Sequence, residues 1–484
     1  MAPVRIVDVA YVPAPPPAAP SRPIKLNAME VQWVVAPVLQ HLLLFEGDQL
    51  PPFDDVVRSL KSSLAATLAT HAPLAGKLHH LTETGEVAIR CSAADEGVRF
   101  VVAETDADAR RLACDEDHDV LTFEGLVPEV DMYRLPAPLL AVQATRLGGG
   151  GGVALGFTVH HAVADGRSLW RFVEAWAAAC RGDAPPEPPP CFDRSRVGLP
   201  GGEELARSVV RNYMPDLPVV RAFPRAQRMW LPSHLSHLDL GFDFVATTPH
   251  HQVPMPAILK QDRLLFTRRT FTLDAARIAR LKQRIVRLGE AHGAPLRRPP
   301  SSFVAVVSLA WTCAVRCRSF PADDNVFLFF LADARDRLDP PAGADYFGTC
   351  LTGCLVKLPA RELRAERALA AAAVAVQDAI REMAEDPLGS SPGWEFLKLA
   401  GDRTVPIDRV VNVSGSAGFM AYEVADFGWG RPRRTENVRM NHDGQVALVR
   451  ARDGGGVQVA VSLLQRAHVD AFKSELLKLL GSDE

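Results

Sequence analysis

The sequence predicts an α/β protein made of two domains of similar construction. The chain has 484 residues, a length for which two domains are the usual expectation. Strand-like and helix-like segments are mixed in both halves, and each half ends on a helix-like segment. Between the halves the composition changes, because Ala184–Pro190 is rich in proline and residues 191–262 show little hydrophobic periodicity. We therefore divide the chain into a first domain at 1–190, a crossover at 191–225 and a second domain at 226–484.

The elements of the first half follow from their hydrophobic periods. Residues 4–12 alternate like a strand, and Asn27 with Glu30 forms a capping box that predicts a short helix at Met29–Trp33. Period-2 or continuous apolar runs predict further strands, and i, i+3, i+4 spacing predicts helices. The strands are expected at 41–45, 87–91, 98–103, 139–147 and 153–159, and the helices at 53–71, 168–180 and 203–212.

The second half repeats the mixture. A strand is predicted at 268–273, after which Asp274 caps a helix that extends to Leu288. The remaining helices are expected at 302–316, 365–385 and 467–480, and the remaining strands at 326–332, 351–358, 410–414, 446–451 and 457–463.

Composition excludes several classes of function. The net charge is −3, from 54 Lys and Arg against 57 Asp and Glu, so there is no basic field of the kind that nucleic acid requires. The eight cysteines form no C-x-x-C pair and lack histidines at ligand spacing, so we expect buried free thiols of a reducing compartment and no metal. The start of the chain does not look like a signal peptide, and the apolar stretch 31–45 is too polar to span a bilayer. A cytoplasmic protein without membrane contact is expected.

The strongest candidate for chemistry is the end of the strand at 153–159. Two histidines, His160 and His161, follow it, and Asp165-Gly166 then lead into an amphipathic helix. A histidine delivered by a strand end into a tight turn is well placed to act as a base. The His-x-x-x-Asp spacing alone is close to chance for a chain with 14 histidines, and Asp165 could simply cap the helix.

Five further segments make the pattern specific. They are Pro73–Leu78, Asp95–Phe100, Asp333–Leu338, Tyr346–Cys350 and Asp426–Gly430, the last reading Asp-Phe-Gly-Trp-Gly. Together with His161-x-x-x-Asp165-Gly166 they resemble the plant BAHD family of coenzyme-A-dependent acyltransferases, over nearly the whole chain except about 215–262. Tyr346–Cys350 and Ser414–Phe419 resemble the branch that malonylates flavonoid and phenolic glucosides, although Thr349 stands where that branch has asparagine.

The resemblance implies a fold and a mechanism. It implies two chloramphenicol-acetyltransferase-like domains, each a mixed sheet with flanking helices, and an active-site channel between them. The expected reaction moves an acyl group, expected to be malonyl, from acyl-CoA to a hydroxyl of a plant phenolic or flavonoid glucoside. His161 is then the general base for that hydroxyl, and it returns the proton to the sulfur of coenzyme A. Because thiolate is a good leaving group, direct transfer in a ternary complex needs no acyl-enzyme. Acyl-CoA is a co-substrate, and no other cofactor and no metal is expected.

The resemblance also assigns roles to single residues. Asp426 is grouped with His161 as a catalytic candidate, although a structural role is the favoured interpretation for Asp426. Asp165 is expected to pair with Arg335 or Arg337 and not to touch substrate, and His160 is read as structural because it faces the other way. The other structural motif residues are Gly166, Gly428, Trp429 and Gly430.

Substrate contacts are harder to assign from one sequence. Arg298, with the preceding Arg297, lies just before Ser301 and Ser302 at the predicted start of a helix, and these residues are candidates for binding coenzyme A. Two solvated arginines and an N-cap serine are an equally good interpretation. A malonyl carboxylate needs a cation, for which Arg167 and Arg171 are the candidates.

Other functions remain as alternatives. The first is a hydroxycinnamoyl-CoA transferase that acts on a phenolic, quinate- or shikimate-like or amine acceptor, and another is a non-catalytic binding protein of the same fold. Gly389–Gly393 fits the serine-hydrolase pattern G-x-S-x-G, but Pro392 follows the serine and has no N–H for an oxyanion. We expect a monomer that binds acyl-CoA and a small-molecule acceptor, and the acceptor cannot be read from the sequence.

Overall fold

The computed structural model describes residues 3–15, 18–92, 96–114, 116–149, 151–199, 201–220, 265–388, 397, 404–440 and 442–481. The expected insertion at 226–262, the Gly389–Gly393 segment and Asp95 of the Asp95–Phe100 segment lie outside the described residues. Within it the chain folds into two six-stranded mixed sheets and one smaller four-stranded sheet.

The first sheet carries the strand that leads to His161. Its strand order is β1-β6-β8-β9-β3-β14, and only the β6–β8 pair is parallel. Its members are β1 (Arg5–Val12), β3 (Leu39–Phe45), β6 (Val98–Asp108), β8 (Leu140–Gly149), β9 (Gly152–Val159) and β14 (Arg434–Asn437). β9 is therefore interior to the sheet, between β8 and β3, and its apolar side chains are buried on both faces.

The second sheet is built from the second half of the chain. Its order is β10-β16-β15-β13-β11-β12, with β13 parallel to both β11 and β15. Its members are β10 (Thr267–Leu273), β11 (Asn325–Asp333), β12 (Leu351–Pro359), β13 (Val410–Gly415), β15 (Gln445–Arg450) and β16 (Val457–Leu463).

The small sheet and the helices cover these layers. The small sheet contains β2 (Ile24–Lys25), β4 (Lys77–Leu81), β5 (Glu86–Arg90) and β7 (Ala137–Pro138). The helices are α1 (Ala28–Val31), α2 (Phe53–Thr67), α3 (Ala109–Cys114), α4 (Val120–Gly125), α5 (Gly166–Arg181), α6 (Gly202–Tyr213), α7 (Ala275–Ala291), α8 (Ser302–Arg316), α9 (Ala360–Arg364), α10 (Ala368–Glu385), α11 (Ala421–Val424) and α12 (Arg466–Leu480). Short 3-10 turns occur at Gln32–Val35, Ala72–Ala75, Arg194–Arg196 and Ile407–Arg409.

Each large sheet has its own hydrophobic core. The first core packs α2 and α5 against the first sheet and includes Trp176, which is fully buried. The second core is organised around α8, whose residues from Val304 to Val315 are all buried. A helix that is apolar on every side belongs inside a layered domain.

The second half of the chain contributes a strand to the first sheet and two aromatic side chains to the first core. β14, from the second half, pairs antiparallel with β3 and completes the first sheet. Phe427 and Trp429, also from the second half, belong to the first core. The division at 226 stays a prediction for the chain as a whole, but the segment around 427–437 sits with the first sheet.

Most predicted elements are present, with shifts at their ends. The helix expected at 365–385 starts later, at Ala368, because α9 already ends at Arg364 and Ala365 is extended. The helix expected at 53–71 ends at Thr67, and a 3-10 turn follows at Ala72–Ala75. Several elements were not predicted, including β4, α3, α4 and β14.

The structure describes all eight cysteines as free thiols. The expectation that they are buried holds for Cys313, Cys350 and Cys354, whereas Cys114 is exposed and the other four are half-buried. No helix within the described residues is both long and apolar enough to cross a membrane.

Candidate active site

His161 stands at the point where β9 ends and the chain turns toward α5. Its ring stacks on Trp33, with 4.1 Å between ring centroids and 21° between ring planes. The residue is partly exposed, but its Nδ1 is buried and has no hydrogen-bond partner among the described residues. Stacking, therefore, orients the ring more than side-chain hydrogen bonding does.

Burial lowers the pKa of His161 to about 4, and its own backbone and Asp165 oppose that shift. The imidazole is consequently neutral at physiological pH and has a lone pair available to accept a proton. A neutral histidine that is partly exposed at a strand end can act as a base toward a hydroxyl or amine.

His160 lies on the other side of the strand end. It is buried, and its Nδ1 accepts a hydrogen bond of 3.2 Å from the backbone N–H of Ala162. Burial lowers the pKa of His160 to about 4, and the neighbouring His161 lowers it further. The contact with Ala162 holds the turn, which fits the structural role expected for His160.

Asp165 holds the turn between His161 and α5 in two ways. It is the N-cap of α5, because its Oδ1 accepts the backbone N–H of Ser168 at 3.0 Å. Its Oδ2 also pairs with Arg335 Nη1 at 2.7 Å, and both side chains are almost completely buried. Helix capping and pairing with Arg335 were the two expectations for Asp165, and both are observed. Arg337 instead donates to the backbone carbonyl of Asp333.

Arg335 is the centre of a larger network. Burial opposes its charge, but Asp165 and Asp333 raise the pKa of Arg335 above its ordinary value. Its Nη2 donates to Ser168 Oγ at 3.0 Å and to the Gly348 carbonyl at 2.8 Å. Arg335 thus fastens the start of α5 to the Tyr346–Cys350 segment of the second half.

The Tyr346–Cys350 segment contacts the backbone of His161. Thr349 is fully buried, and its Oγ1 donates to the backbone carbonyl of His161 at 2.5 Å. A Cβ on Gly348 would lie 2.3 Å from Glu30 Oε1 and 2.7 Å from the Tyr346 ring. Glycine is required there because no side chain fits between those groups.

A buried polar cluster lies on the far side of the same segment. Glu30, which is fully buried, accepts from the Tyr346 hydroxyl at 2.9 Å and pairs with Arg194 at 3.1 Å. Asn27 caps α1 through the predicted capping box and donates to the Tyr346 hydroxyl at 2.9 Å. Burial raises the pKa of Glu30, and Arg194 opposes that rise.

Asp426 is occupied by its own loop. Its Oδ1 accepts the backbone N–H groups of Gly428 at 2.9 Å and Gly430 at 3.0 Å. Gly428 and Gly430 have φ values of 104° and 90°, which other residues adopt poorly. Trp429 packs against Phe45 and Phe427, and the Arg181 guanidinium donates to the Asp426 carbonyl. The grouping of Asp426 with His161 as catalytic therefore finds no support in these contacts.

The two arginines expected in an acyl pocket are both engaged elsewhere. Arg167 Nη1 pairs with Asp333 at 2.8 Å and lies 3.6 Å from Asp336. Arg171 donates to the backbone carbonyls of Ala344 at 2.8 Å and Pro188 at 2.6 Å. The Arg171 guanidinium thus joins the proline-rich end of the first half to the second half, and its place in an acyl pocket stays a prediction.

The residues expected to bind coenzyme A lie at the N-terminus of α8. Ser301 caps α8, because its Oγ accepts the backbone N–H of Val304 at 3.2 Å, and Ser302 is the first residue of the helix. Arg297 and Arg298 are exposed beside it, and the Arg298 carbonyl accepts from Gln377. Exposed cations next to a helix N-terminus form a favourable setting for phosphate.

Sequence reasoning did not find several residues of this site. It placed Trp33 and Glu30 in a short helix and Thr349 in a motif, but it connected neither Trp33 nor Thr349 to His161, and it did not connect Glu30 to Thr349. Arg194 and Tyr346 were likewise not connected to Glu30. The capping box was the single local signal that touched this cluster, because the other contacts join residues more than 120 positions apart.

Known proteins resemble this chain over nearly its whole length. A family model described as "Transferase family" matches residues 13–479. An agmatine coumaroyltransferase from Arabidopsis thaliana is 27% identical, over 95% of each chain. From the same plant, a malonyl-CoA:anthocyanidin 5-O-glucoside-6''-O-malonyltransferase is 29% identical, over 97% of each chain.

Solved structures share the fold. Vinorine synthase superimposes with a TM-score of 0.66 at 17% identity, over 98% of each chain. TRI101 of F. sporotrichioides, complexed with coenzyme A and T-2, has a TM-score of 0.61 at 16% identity, over 94% of this chain and 97% of that one. The likeness confirms the expected pair of chloramphenicol-acetyltransferase-like α/β units.

Proposed function

The chain belongs to the Transferase family, the BAHD acyl-CoA-dependent acyltransferases that its motifs resemble, and from that premise we propose that His161 is the general base of its reaction. The observation that carries the proposal is the position of the His161 ring, which is neutral, partly exposed and stacked on Trp33 at the end of β9. The acyl-CoA thioester is the donor, and a small molecule with a hydroxyl or amine is the acceptor.

The proposed reaction proceeds in one ternary complex. His161 takes the proton of the acceptor as its oxygen or nitrogen attacks the thioester carbonyl. The carbon–sulfur bond then breaks, and the protonated His161 gives the proton to the sulfur of coenzyme A. Because burial depresses the pKa of His161, the imidazolium is unfavourable and returns its proton readily.

The remaining motif residues are proposed to be structural. Asp165 and Arg335 hold the turn that presents His161, and Gly166 lets that turn pack against Phe419, whose ring lies 2.6 Å from where a Cβ would be. Asp426, Gly428, Trp429 and Gly430 hold a loop against the first core. Arg298, Ser301 and Ser302 are proposed to meet coenzyme A.

A hydroxycinnamoyl group is proposed as the preferred donor, ahead of malonyl. A bound malonyl carboxylate requires a cation, and the two arginines expected to supply it have protein partners. The agmatine coumaroyltransferase among the relatives supports this assignment. Malonyl is the second candidate, favoured by the malonyltransferases among the relatives and by the Tyr346–Cys350 segment.

The mechanism is tested by following free thiol release with coumaroyl-, malonyl- and acetyl-CoA. Each donor is paired with a flavonoid glucoside and, separately, with agmatine. His161→Ala should lower kcat by about 10²–10⁴-fold, the usual contribution of a general base. The matched control is His292→Ala, because His292 is exposed at the end of α7. Full activity of His161→Ala rejects the mechanism, and faster turnover of malonyl-CoA than of coumaroyl-CoA rejects the donor assignment.

A further inference from the structure

The His161 ring has few contacts that fix its direction. Its buried Nδ1 has no hydrogen-bond partner among the described residues, and its stacking partner is Trp33. A base must nevertheless be held within a small tolerance of the proton it removes. The groups that hold the backbone of His161 and the ring of Trp33 therefore bear directly on the reaction.

Thr349 holds the backbone. Its hydroxyl donates to the His161 carbonyl at 2.5 Å, which is short but normal for an O–H···O bond. The contact joins β9 of the first half to the Tyr346–Cys350 segment of the second half, across 188 residues. Because Thr349 is completely buried, water cannot replace its hydroxyl.

Glu30 connects that contact to the Trp33 side. It lies three residues before Trp33, in the helical segment that begins at Asn27. Its Oε1 accepts the backbone N–H of Thr349 at 3.4 Å and the Tyr346 hydroxyl at 2.9 Å. Arg194 compensates the carboxylate, since its Nε donates to Glu30 Oε2 at 3.1 Å.

We propose that Thr349 and Glu30 are positioning residues for His161: Thr349 fixes the backbone of the base, and Glu30 ties Thr349 to the segment that carries Trp33. This inference rests on the proposed role of His161 as the base. It assigns to Thr349 a function in the reaction through its hydroxyl, which a residue that only fills space does not have.

The proposal has a consequence for pH dependence. The titratable and charged groups around His161 are the neighbouring His160, Asp165, which is paired with Arg335, and Glu30 beyond Thr349, which is paired with Arg194. Loss of the Thr349 hydroxyl loosens the turn and opens the ring to water. Hydration favours imidazolium, so the pKa of His161 should rise toward its ordinary value. The acidic limb of kcat/KM should therefore move to higher pH.

The experiment compares Thr349→Val with Thr349→Ser. Valine keeps the shape and removes the hydroxyl, whereas serine keeps the hydroxyl. Thr349→Val should lower kcat by about tenfold or more, with KM for acyl-CoA changed less than about twofold. Thr349→Ser should recover most of the lost kcat and should return the acidic limb toward the wild-type pH. Thr272→Val is the matched control, because Thr272 is exposed on β10.

Two results overturn the inference. One is a Thr349→Val enzyme with wild-type kcat and pH profile, and the other is a Thr349→Ser enzyme as impaired as Thr349→Val. Glu30→Gln is the second variant, and it should lower kcat with KM for acyl-CoA changed less than about twofold. Its folding is checked by the thermal unfolding midpoint. If His161→Ala is inactive while Thr349→Val is unaffected, only this inference fails and the proposed function stands.

Discussion

At the scale of single residues, the site separates a reactive side chain from the groups that present it. His161 is partly exposed and stacked on Trp33. Asp165, four positions later, is buried and engaged by Ser168, Arg335 and the N–H of Cys350. A carboxylate with all of these partners has little capacity left for substrate. The two motif residues therefore have different physical surroundings and are expected to respond differently to substitution.

Asp165→Ala should lower the free energy of unfolding by about 3–5 kcal/mol, because removal of one partner leaves the buried charge of Arg335 undercompensated. Asp333 remains 3.0 Å from Arg335, which places the effect toward the lower end of that range. Urea denaturation gives the stability, and kcat is expressed per folded molecule. An Asp165→Ala enzyme of wild-type stability with no activity would assign a direct catalytic role to Asp165.

At the scale of elements, hydrophobic period was enough to find most strands and helices of both sheets. β16 and α8 have the boundaries predicted for them, and both have a clear start signal: Gly456 precedes β16, and Ser301 caps α8. β14 was missed because Arg434–Asn437 has no apolar alternation. Its place in the sheet depends on β3, almost 400 residues earlier, and no local pattern encodes that pairing.

For the candidate active site, the local features were predictable from the sequence and the long-range contacts were not. The end of β9 and the cap at Asp165 follow from local sequence, and the pairing with Arg335 followed from a family resemblance. The contacts of Thr349 and Glu30 depend on how two distant segments pack, and neither residue type indicates such a partner. The engagement of Arg171 by backbone carbonyls was equally hidden, because its helical position suggested only solvent or ligand.

The tight packing around Gly348 in the Tyr346–Cys350 segment can be tested by adding a single methyl group. Gly348→Ala should lower kcat, because the new Cβ would meet Glu30 Oε1 at 2.3 Å and the Tyr346 ring at 2.7 Å. The segment must then move away from Glu30 and carry Thr349 with it, with a loss of about 1–3 kcal/mol in stability. Gly198→Ala is the control, since its nearest atom would be 3.6 Å away. Equal kcat and unfolding midpoint for the two variants would contradict this account of the segment.

At the scale of the whole molecule, buried histidines should make the fold sensitive to acid. Burial lowers the pKa of six histidines to about 4, namely His41, His71, His118, His160, His161 and His442. In the unfolded chain each regains a pKa near 6.5. Above pH 6.5 these histidines are neutral in both states and do not reduce the free energy of unfolding. As pH falls from 6.5 toward 4, the unfolded chain binds more protons than the folded one, so the free energy of unfolding decreases.

Each of these histidines contributes a slope of up to about 1.4 kcal/mol per pH unit. The thermal unfolding midpoint should therefore fall steeply between pH 6.5 and pH 5. His71→Leu should reduce the slope by about one proton, whereas His292→Leu, at an exposed position, should leave it unchanged. Equal midpoints at pH 7.5 and pH 5 would contradict the prediction.

The pairing of β14 with β3 limits how this chain can be divided and recombined. A fragment that stops at the crossover would present β3 as an open edge and would lack Phe427 and Trp429 from its core. A chimera that joins the first half of this enzyme to the second half of a relative would import a foreign edge strand and loop. Recombination should therefore succeed best when residues 426–437 are inherited together with residues 1–190, as one block that is discontinuous in the gene.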